Sequence, residues 1–338
     1  MQALFDKINE LKNESLRSKH EQLVEGIISA INDKTLKKGD RLPSINNMVS
    51  EIGFARKTIV RAYESLKARG LVESKNFKGY YIANTNTKIK LKVALLLFAF
   101  HSFQEDFYNT FRKELGKKYH IDIFFHHNNP EIFKNIVATI SGKYGMYVIA
   151  PIPNAETPKI LSNIDPEKLL IVDRFISMPA EYSYISQEFE HSTYRRFEEL
   201  LPVMKKYKEV ILFFREDADY PVGIKKAFTQ FTQDHQLKGT IHKKYDQGSV
   251  KKNTLYIFIS DLHLWQVLKD CKYAEYSLGK DVGILAHNDN DVKEIIFGGI
   301  TTISADFKKM AQESAAYVKY QTRVHKIIPS ELKRRNSL

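Results

Sequence analysis

"RLPSINNMVSEIGFARKTIVRAYESLKARGLVES" occupies residues 41–74 and holds two short helical patterns parted by a glycine. In the first, residues 44–52, Ile45, Met48, Val49 and Ile52 recur at helical spacing until Gly53 ends the run. In the second, from about Ala55 to Ala68, Ile59, Ala62, Tyr63 and Leu66 share one face while Arg56, Lys57 and Arg61 lie off it. Gly70 stops that helix. Upstream, residues 20–33 place Leu23, Ile27, Ile28 and Ile31 on one stripe. Pro43 is set to open the next helix, with Asp40 or Ser44 available as its cap. Downstream, "LVESKNFKGYYIAN" reads as two short strands about a turn near Gly79. Three helices followed by a two-stranded wing are the outline of a winged helix-turn-helix.

A cationic helix face is ordinarily just solvated, so the charge distribution bears on its meaning. The 338-residue chain carries a formal net charge of +12. Residues 1–90 hold 17 Lys and Arg against 10 Asp and Glu, a net of +7, leaving +5 for the other 248 residues. That asymmetry points to a polyanionic partner for the first quarter of the chain. In a helix-turn-helix the second helix lies in the major groove, its start touching bases and phosphates. Arginine suits that position because its planar fork grips phosphate or guanine with two hydrogen bonds.

The stretch "LKKGDRLPSINNMVSEIGFARKTIVRAYESLKARGLVESKNFKGYYIAN" resembles the DNA-binding domain of the GntR family of bacterial transcription regulators. The resemblance spans about residues 20–84 and rests on Gly39, Asp40, Leu42, Pro43, Ser44, Arg56, Thr58, Ala62, Tyr63, Leu66, Gly70, Leu71 and Gly79. It implies DNA contacts from Ser44, Arg56, Lys57, Thr58, Arg61, Lys78 and Gly79. Three positions depart from the family pattern. Asn46 stands where many members have arginine, Ala55 replaces a serine or threonine cap, and Val60 fills an often basic place. Base preference therefore does not carry over. A module of this size makes few base contacts, so a homodimer on a two-fold symmetric operator is expected.

Polar "NTNTKIK" follows, and a linker is expected at residues 85–90, after a DNA-binding domain over 1–84. Beyond it the texture changes. Apolar runs such as "KVALLLFAF" (92–100), "KLLIVDR" (168–174) and "NTLYIFIS" (253–260) alternate with amphipathic helical segments. That pattern means parallel sheets buried on both faces. The fold class expected is α/β, a winged helix-turn-helix joined to a doubly wound domain over 91–330, with "ELKRRNSL" (331–338) as a solvated basic tail.

Function classes narrow by chemistry. No Gly-x-Gly-x-x-Gly, phosphate-binding loop, His-Glu-x-x-His or Gly-x-Ser-x-Gly occurs, so catalysis lacks positive support. An aminotransferase-like domain needs more chain than remains. The single cysteine, Cys271, excludes an internal disulfide and a cysteine metal cage and reads as a small buried hydrophobe. His126 and His127, read as adjacent on a strand, point to opposite faces and do not make a metal pair. No apolar run reaches the ~18 residues a spanning helix needs, and the charged N-terminus is unlike a signal peptide. A cytoplasmic location with no membrane partner, metal or cofactor is expected. Two readings stay open: a cytoplasmic ligand sensor, and a cytoplasmic α/β enzyme acting on a small polar metabolite with an attached DNA-binding module.

Residues 91–325 resemble the effector domain of the lactose/galactose-repressor type, related to periplasmic sugar-binding proteins. "VALLLFAFHSFQEDFYNTFRKEL", "LLIVDR", "IFISDLHLWQVLKD", "GKDVGILAHNDND" and "GGITTISADFKKMAQESA" carry the resemblance by their order. It implies two lobes with a ligand between them, a sugar or sugar derivative, and a repressor whose operator affinity that ligand controls. Asp173 and Arg174 end one buried strand; Asp261, and Asn288 with Asp289, end later ones; and His101, Phe103, Phe107 and Tyr108 follow the first. Strand ends are where open α/β sheets hold ligands, and carboxylates, amides and aromatic faces suit adjacent sugar hydroxyls and C–H surfaces. The arginine expected near "PVGIKKAF" is Ile224, so either Lys225 substitutes or the ligand class differs. Trp265 reads as packing beside its helix rather than stacking on ligand.

Overall fold

The computed structural model describes residues 1–12, 18–75, 78–87 and 91–338. Four helices open the chain: α1 (Gln2–Leu11), α2 (Lys19–Asn32), α3 (Ile45–Ile52) and α4 (Arg56–Ala68). β1 (Val72–Lys75) and β2 (Gly79–Ile82) then pair antiparallel as the wing. Local chemistry sets each boundary. Ser18 and Glu21 form a reciprocal capping box at α2, Ser44 caps α3 by accepting from the Asn47 amide, and Gly53 leaves α3 in the left-handed region at φ 72°. α4 starts at Ala55 with no side-chain cap, as the missing hydroxyl requires.

α1 was not expected from the sequence. It buries Leu4, Phe5 and Ile8 in the cluster that also holds Ile27, Met48, Tyr63 and Leu66. Gly26 on α2 makes room for it, because a Cβ there would lie 2.6 Å from Ile8 Cγ1. The expected linker begins as an ordered segment: Thr87 Oγ1 donates to Asn32 Oδ1 at 2.6 Å, and its carbonyl accepts from Arg69 at 2.7 Å. Residues 88–90 of that linker lie outside the described residues.

From residue 91 the chain alternates strand and helix. The first stretch gives β3 (Leu91–Leu97), α5 (Ser102–Leu115), β4 (Tyr119–Phe125), α6 (Pro130–Ile140), β5 (Met146–Ile149), α7 (Thr157–Leu161), β6 (Leu169–Arg174) and β7 (Ser183–Gln187). The second gives α8 (Glu190–Met204), β8 (Glu209–Phe213), α9 (Val222–Asp234), β9 (Gly239–His242), β10 (Thr254–Phe258), α10 (Asp261–Tyr273), β11 (Val282–His287), α11 (Asp291–Ile295) and β12 (Thr301–Ala305). α12 (Phe307–Tyr320), β13 (His325–Ile328) and β14 (Ser330–Lys333) close the chain. Two six-stranded sheets result, ordered β13-β7-β6-β5-β3-β4 and β14-β12-β11-β10-β8-β9. All their pairings are parallel except that of β14 with β12. Helices cover both faces, which explains why the strand runs are apolar throughout.

The chain passes between the lobes at β7–α8, β12–α12 and β13–β14. α8 packs on α9 of the second lobe, and α12 returns to pack on α5 of the first. This exchange holds the carboxyl ends of both sheets face to face.

The solvated tail is a correction. Residues 330–333 form an edge strand pairing Thr302 with Lys333 through Ala305 with Ser330. Beyond it the fully buried Ser337 hydroxyl donates to the Ile284 carbonyl at 2.7 Å and accepts from the Thr301 amide at 2.8 Å. A sequence so rich in Lys and Arg reads as solvated, but β12 has an open edge, and an unpaired edge is where a further strand adds. His126 and His127 are also relocated: β4 ends at Phe125, and His127 turns the chain at φ 48°. His126 is buried, its Nδ1 accepting from the Asn128 amide at 3.1 Å and its Nε2 bonded to the Ala150 carbonyl at 3.1 Å. Cys271 is fully buried, and burial pushes its thiol up to about 12. Among the described residues, no helix is long and apolar enough to cross a membrane.

Candidate ligand cleft and nucleic-acid surface

Between the two sets of strand ends lies a cavity of about 630 Å³, a volume that suits a small ligand. The order of winding reverses between β3 and β5 in one sheet and between β8 and β10 in the other, and such reversals are where these folds place their crevice. Of the residues singled out in the sequence, the structure brings His101, Phe103, Asp173, Arg174, Asp261 and Asn288 to this cavity. It takes three elsewhere. Phe107 is buried in the first lobe's core and Tyr108 packs against that same core, because α5 turns them inward rather than along the cleft. Asp289 faces away, gripped by Arg335 through Nη1 and Nη2 at 2.7 and 3.0 Å, by Lys333 at 2.9 Å and by the Thr302 hydroxyl at 2.8 Å. Arg335 and Lys333 belong to the segment read as a solvated tail.

One wall is aromatic. Phe98, His101 and Phe103 stack in series with centroids 5.7 and 5.8 Å apart, and Phe103 meets Phe307 at 4.8 Å. The floor is polar. Asp173 and Asn288, one from each lobe, hold left-handed backbones at φ 66° and 57°, a conformation Asp and Asn tolerate better than most residues. Such outliers concentrate at binding sites. Gln187 donates its amide to the Asp173 carboxylate.

Arg174 crosses the cleft. Its guanidinium donates to the carbonyl and carboxylate of Asp219 in the second lobe at 3.0 and 3.1 Å, and lies 5.0 Å from the Phe189 ring centre. Burial, then the neighbouring Asp173 charge, raises the Asp219 carboxyl above its ordinary range against the pull of Arg174.

Several cleft residues escaped sequence reasoning, since their neighbours are distant in the chain. Lys293 is only 1% exposed, and its ammonium donates to the His287 and Asn288 carbonyls at 2.9 and 2.5 Å and to Asp261 at 2.6 Å. Burial lowers its pKa and Asp261 opposes that shift. His287 is buried, and its Nε2 has no protein partner among the described residues. Ile224 does line the cleft, but Lys225 does not replace an arginine there: it pairs outside with Glu216 at 2.7 Å. Trp265 is 37% exposed on α10 and is not part of the lining. Among the described residues, no group of three or more His, Cys, Asp or Glu is placed to hold a metal ion.

Burial pushes the imidazoles of His126 and His287 from the ordinary 6.5 down to about 4. Below pH ~6.5 the unfolded chain binds protons that the folded chain refuses, so stability falls as pH drops toward 4. Thermal unfolding across pH 4 to 7 should show that loss, and His126→Asn should flatten part of it. A slope identical to wild type would mean that His126 is not held neutral.

In the winged unit, Arg56, Lys57 and Arg61 are exposed on α4 while Ile59, Ala62, Tyr63 and Leu66 are buried. Thr58 is half-buried beside them, Ser44 is exposed at the start of α3, and Lys78 and Gly79 sit on the wing. Tyr63 locks α4 by donating to the Pro43 carbonyl at 2.8 Å. Arg56 donates to Asn46 Oδ1, so the residue that departs from the family pattern orients the arginine. Arg41, not singled out in the sequence, is exposed with its guanidinium beside Gly79 of the wing, 3.4 Å from where a Cβ would stand.

A winged helix-turn-helix followed by a two-lobed domain of the periplasmic-binding-protein type is the class these parts define. Residues 19–82 match the family described as bacterial regulatory proteins, gntR family. The HTH-type transcriptional regulator Rv1152 of Mycobacterium tuberculosis is 30% identical over 63 residues, 19% of this chain and 52% of that protein. The chain thus matches about half the length of that relative. A LacI family transcriptional regulator from Lactobacillus casei, solved with bound glucose, superposes at a TM-score of 0.61 and 15% identity, over 73% of this chain and 99% of that one. The trehalose repressor from Escherichia coli gives 0.60 at 11% identity, over 72% and 99%. At such identities the likeness establishes the fold of the two lobes.

Proposed function

We propose that this protein is a transcriptional regulator, acting as a repressor, whose operator affinity is set by a sugar or sugar derivative held between its lobes. Residues 1–84 serve as the DNA-binding unit and the chain from 91 onward as the sensor. The observation that carries the reading is the juxtaposition in one chain of an exposed Arg56/Lys57/Arg61 face and a cleft whose two walls come from different lobes. A ligand touching both walls favours one lobe arrangement over others, and only such differential binding can alter DNA affinity. His101, Phe103, Asp173, Arg174, Asp261 and Asn288 are the proposed ligand contacts, with His287 added by the structure. The proteins it resembles supply the sugar: one is solved with glucose and another is a trehalose repressor. A homodimer fits the exposed Val292, Ile295 and Phe297, which crowd apolar surface onto one short segment of the second lobe.

The test is binding to a duplex selected from a random-sequence pool, titrated with salt and with sugars. Affinity should fall steeply with salt, two chains should bind each palindromic duplex, and an added sugar should shift the affinity. A flat salt response would sink DNA binding; a duplex affinity indifferent to every sugar that binds the chain would sink the regulatory coupling.

A further inference from the structure

Resting on the sensor reading above, we infer that the cleft takes an uncharged polyhydroxylated ligand and rejects the phosphorylated or carboxylated forms of the same compound. Its charge inventory carries the argument. Among the described lining residues, Asp173, Glu188, Asp219 and Asp261 are acidic, whereas Arg174 and Lys293 are the basic ones apart from histidine. Acids therefore outnumber cations two to one, in a space sheltered enough that like charges are poorly screened.

Each cation already faces an acid of the chain's own. The Lys293 ammonium has three N–H bonds, and all three are engaged, by the His287 and Asn288 carbonyls and by Asp261. Arg174 is paired across the cleft through Nη2 with Asp219, which is only 18% exposed at its side chain. Turning that guanidinium toward a phosphate would leave a buried carboxylate unpaired. The histidines add no charge, since burial lowers His101 and His287 below their ordinary value, leaving both neutral near pH 7.

Helix N-termini facing a cleft would ordinarily draw an anion, but here the chain's own groups occupy most of them. Glu188 accepts from the amides of Glu190, His191 and Ser192 at the start of α8. Ser260 caps α10, whose first residue is Asp261, and His101 with Gln104 boxes the start of α5. α9 has no side-chain cap, yet Asp219 stands just ahead of it.

What the cleft does offer is acceptors and a flat face. The Asp173 carboxylate holds one amide donor from Gln187 and has lone pairs left for hydroxyls. The Phe98–His101–Phe103 stack presents rings to C–H surfaces. Neutral hydroxyls donate to carboxylates without adding charge. A phosphate dianion brings two more negative charges within several ångströms of four carboxylates, which at an effective dielectric near 20 weakens binding by about a hundred-fold or more.

Matched pairs test this on the full chain by isothermal titration and thermal shift: glucose, sucrose, trehalose and common pentoses, each beside its phosphate ester, with gluconate and glucuronate as the acids. The expected result is that at least one neutral compound binds and that its phosphate binds at least a hundred-fold more weakly. The Asp173→Asn/Asp219→Asn variant, which removes two negative charges beside Arg174, should narrow that gap at least ten-fold. A phosphate or acid that binds as tightly as its neutral parent overturns the inference while leaving the sensor reading intact. A gap unchanged in the variant overturns it as well, because charge would not be the cause. If no member of either set binds, the sugar-sensor reading falls, and this inference with it.

Discussion

The Arg56→Ala/Arg61→Ala variant is expected to lose roughly a hundred-fold or more in affinity for the duplex selected by the wild-type chain, since each well-made arginine contact to a base or phosphate is worth about 1–3 kcal/mol. Both side chains are exposed on the cationic face of α4, and neither touches the core that Ile59, Ala62, Tyr63 and Leu66 build. Folding should therefore survive. The salt dependence should flatten by about one counterion for each phosphate that the variant no longer grips, while any sugar found to bind the wild-type chain should keep its affinity. Asn46→Ala should give a smaller version of the same loss, because it frees Arg56 from the oxygen that orients it. Fluorescence anisotropy on a labelled duplex measures both variants against wild type. Unchanged affinity in the double variant would show that the start of α4 does not face DNA.

Lys293→Met should cost about 1–3 kcal/mol of stability, the usual consequence of leaving buried acceptors without their donor. The substitution strands the Asp261 carboxylate and leaves the His287 and Asn288 carbonyls without their donor, at the end of the strand that floors the cleft. Ligand affinity should fall with it, because Asn288 is held at φ 57° partly by that ammonium. Adding Asp261→Ala to Lys293→Met should restore part of the stability, since the unpaired charge goes with it, although the proposed ligand contact would not return. Chemical denaturation of the single and double variants gives the coupling between the two residues. Losses that simply add would mean that the pair does not act as a unit.

How far the sequence was legible differs between the two halves. In the winged unit nearly everything is local. Ser44 and Gly53 bound α3 through their own backbone chemistry, and the three-to-four-residue spacing of Ile59, Tyr63 and Leu66 leaves Arg56 and Arg61 outside. α1 was missed because ten residues make no stable helix alone; its helicity depends on Ile8 seating against Gly26. In the lobes the long strands were legible as apolar runs, whereas β13 and β14 were not. Those are edge strands, exposed on alternate residues and carrying His, Lys and Glu, and nothing in their composition separates them from a solvated segment.

The cleft shows the same division. Asp173, Arg174, Asp261 and Asn288 could be placed from sequence because each ends a strand run, and strand ends of a doubly wound sheet converge by topology. Phe107, Tyr108 and Asp289 lie within a few residues of true lining positions, and only side-chain direction separates the two. The sequence alone determined a winged helix-turn-helix with a cationic second helix, an alternating α/β remainder and a set of strand ends rich in polar groups, since periodicity, caps and composition are local properties. The tertiary structure decided which charges are spent and which remain. It brought Lys293 to Asp261, Arg174 to Asp219 and Arg335 to Asp289, pairs separated by 32, 45 and 46 residues. No local pattern encodes such pairs, because they arise only when two lobes fold and a returning chain end closes a sheet edge.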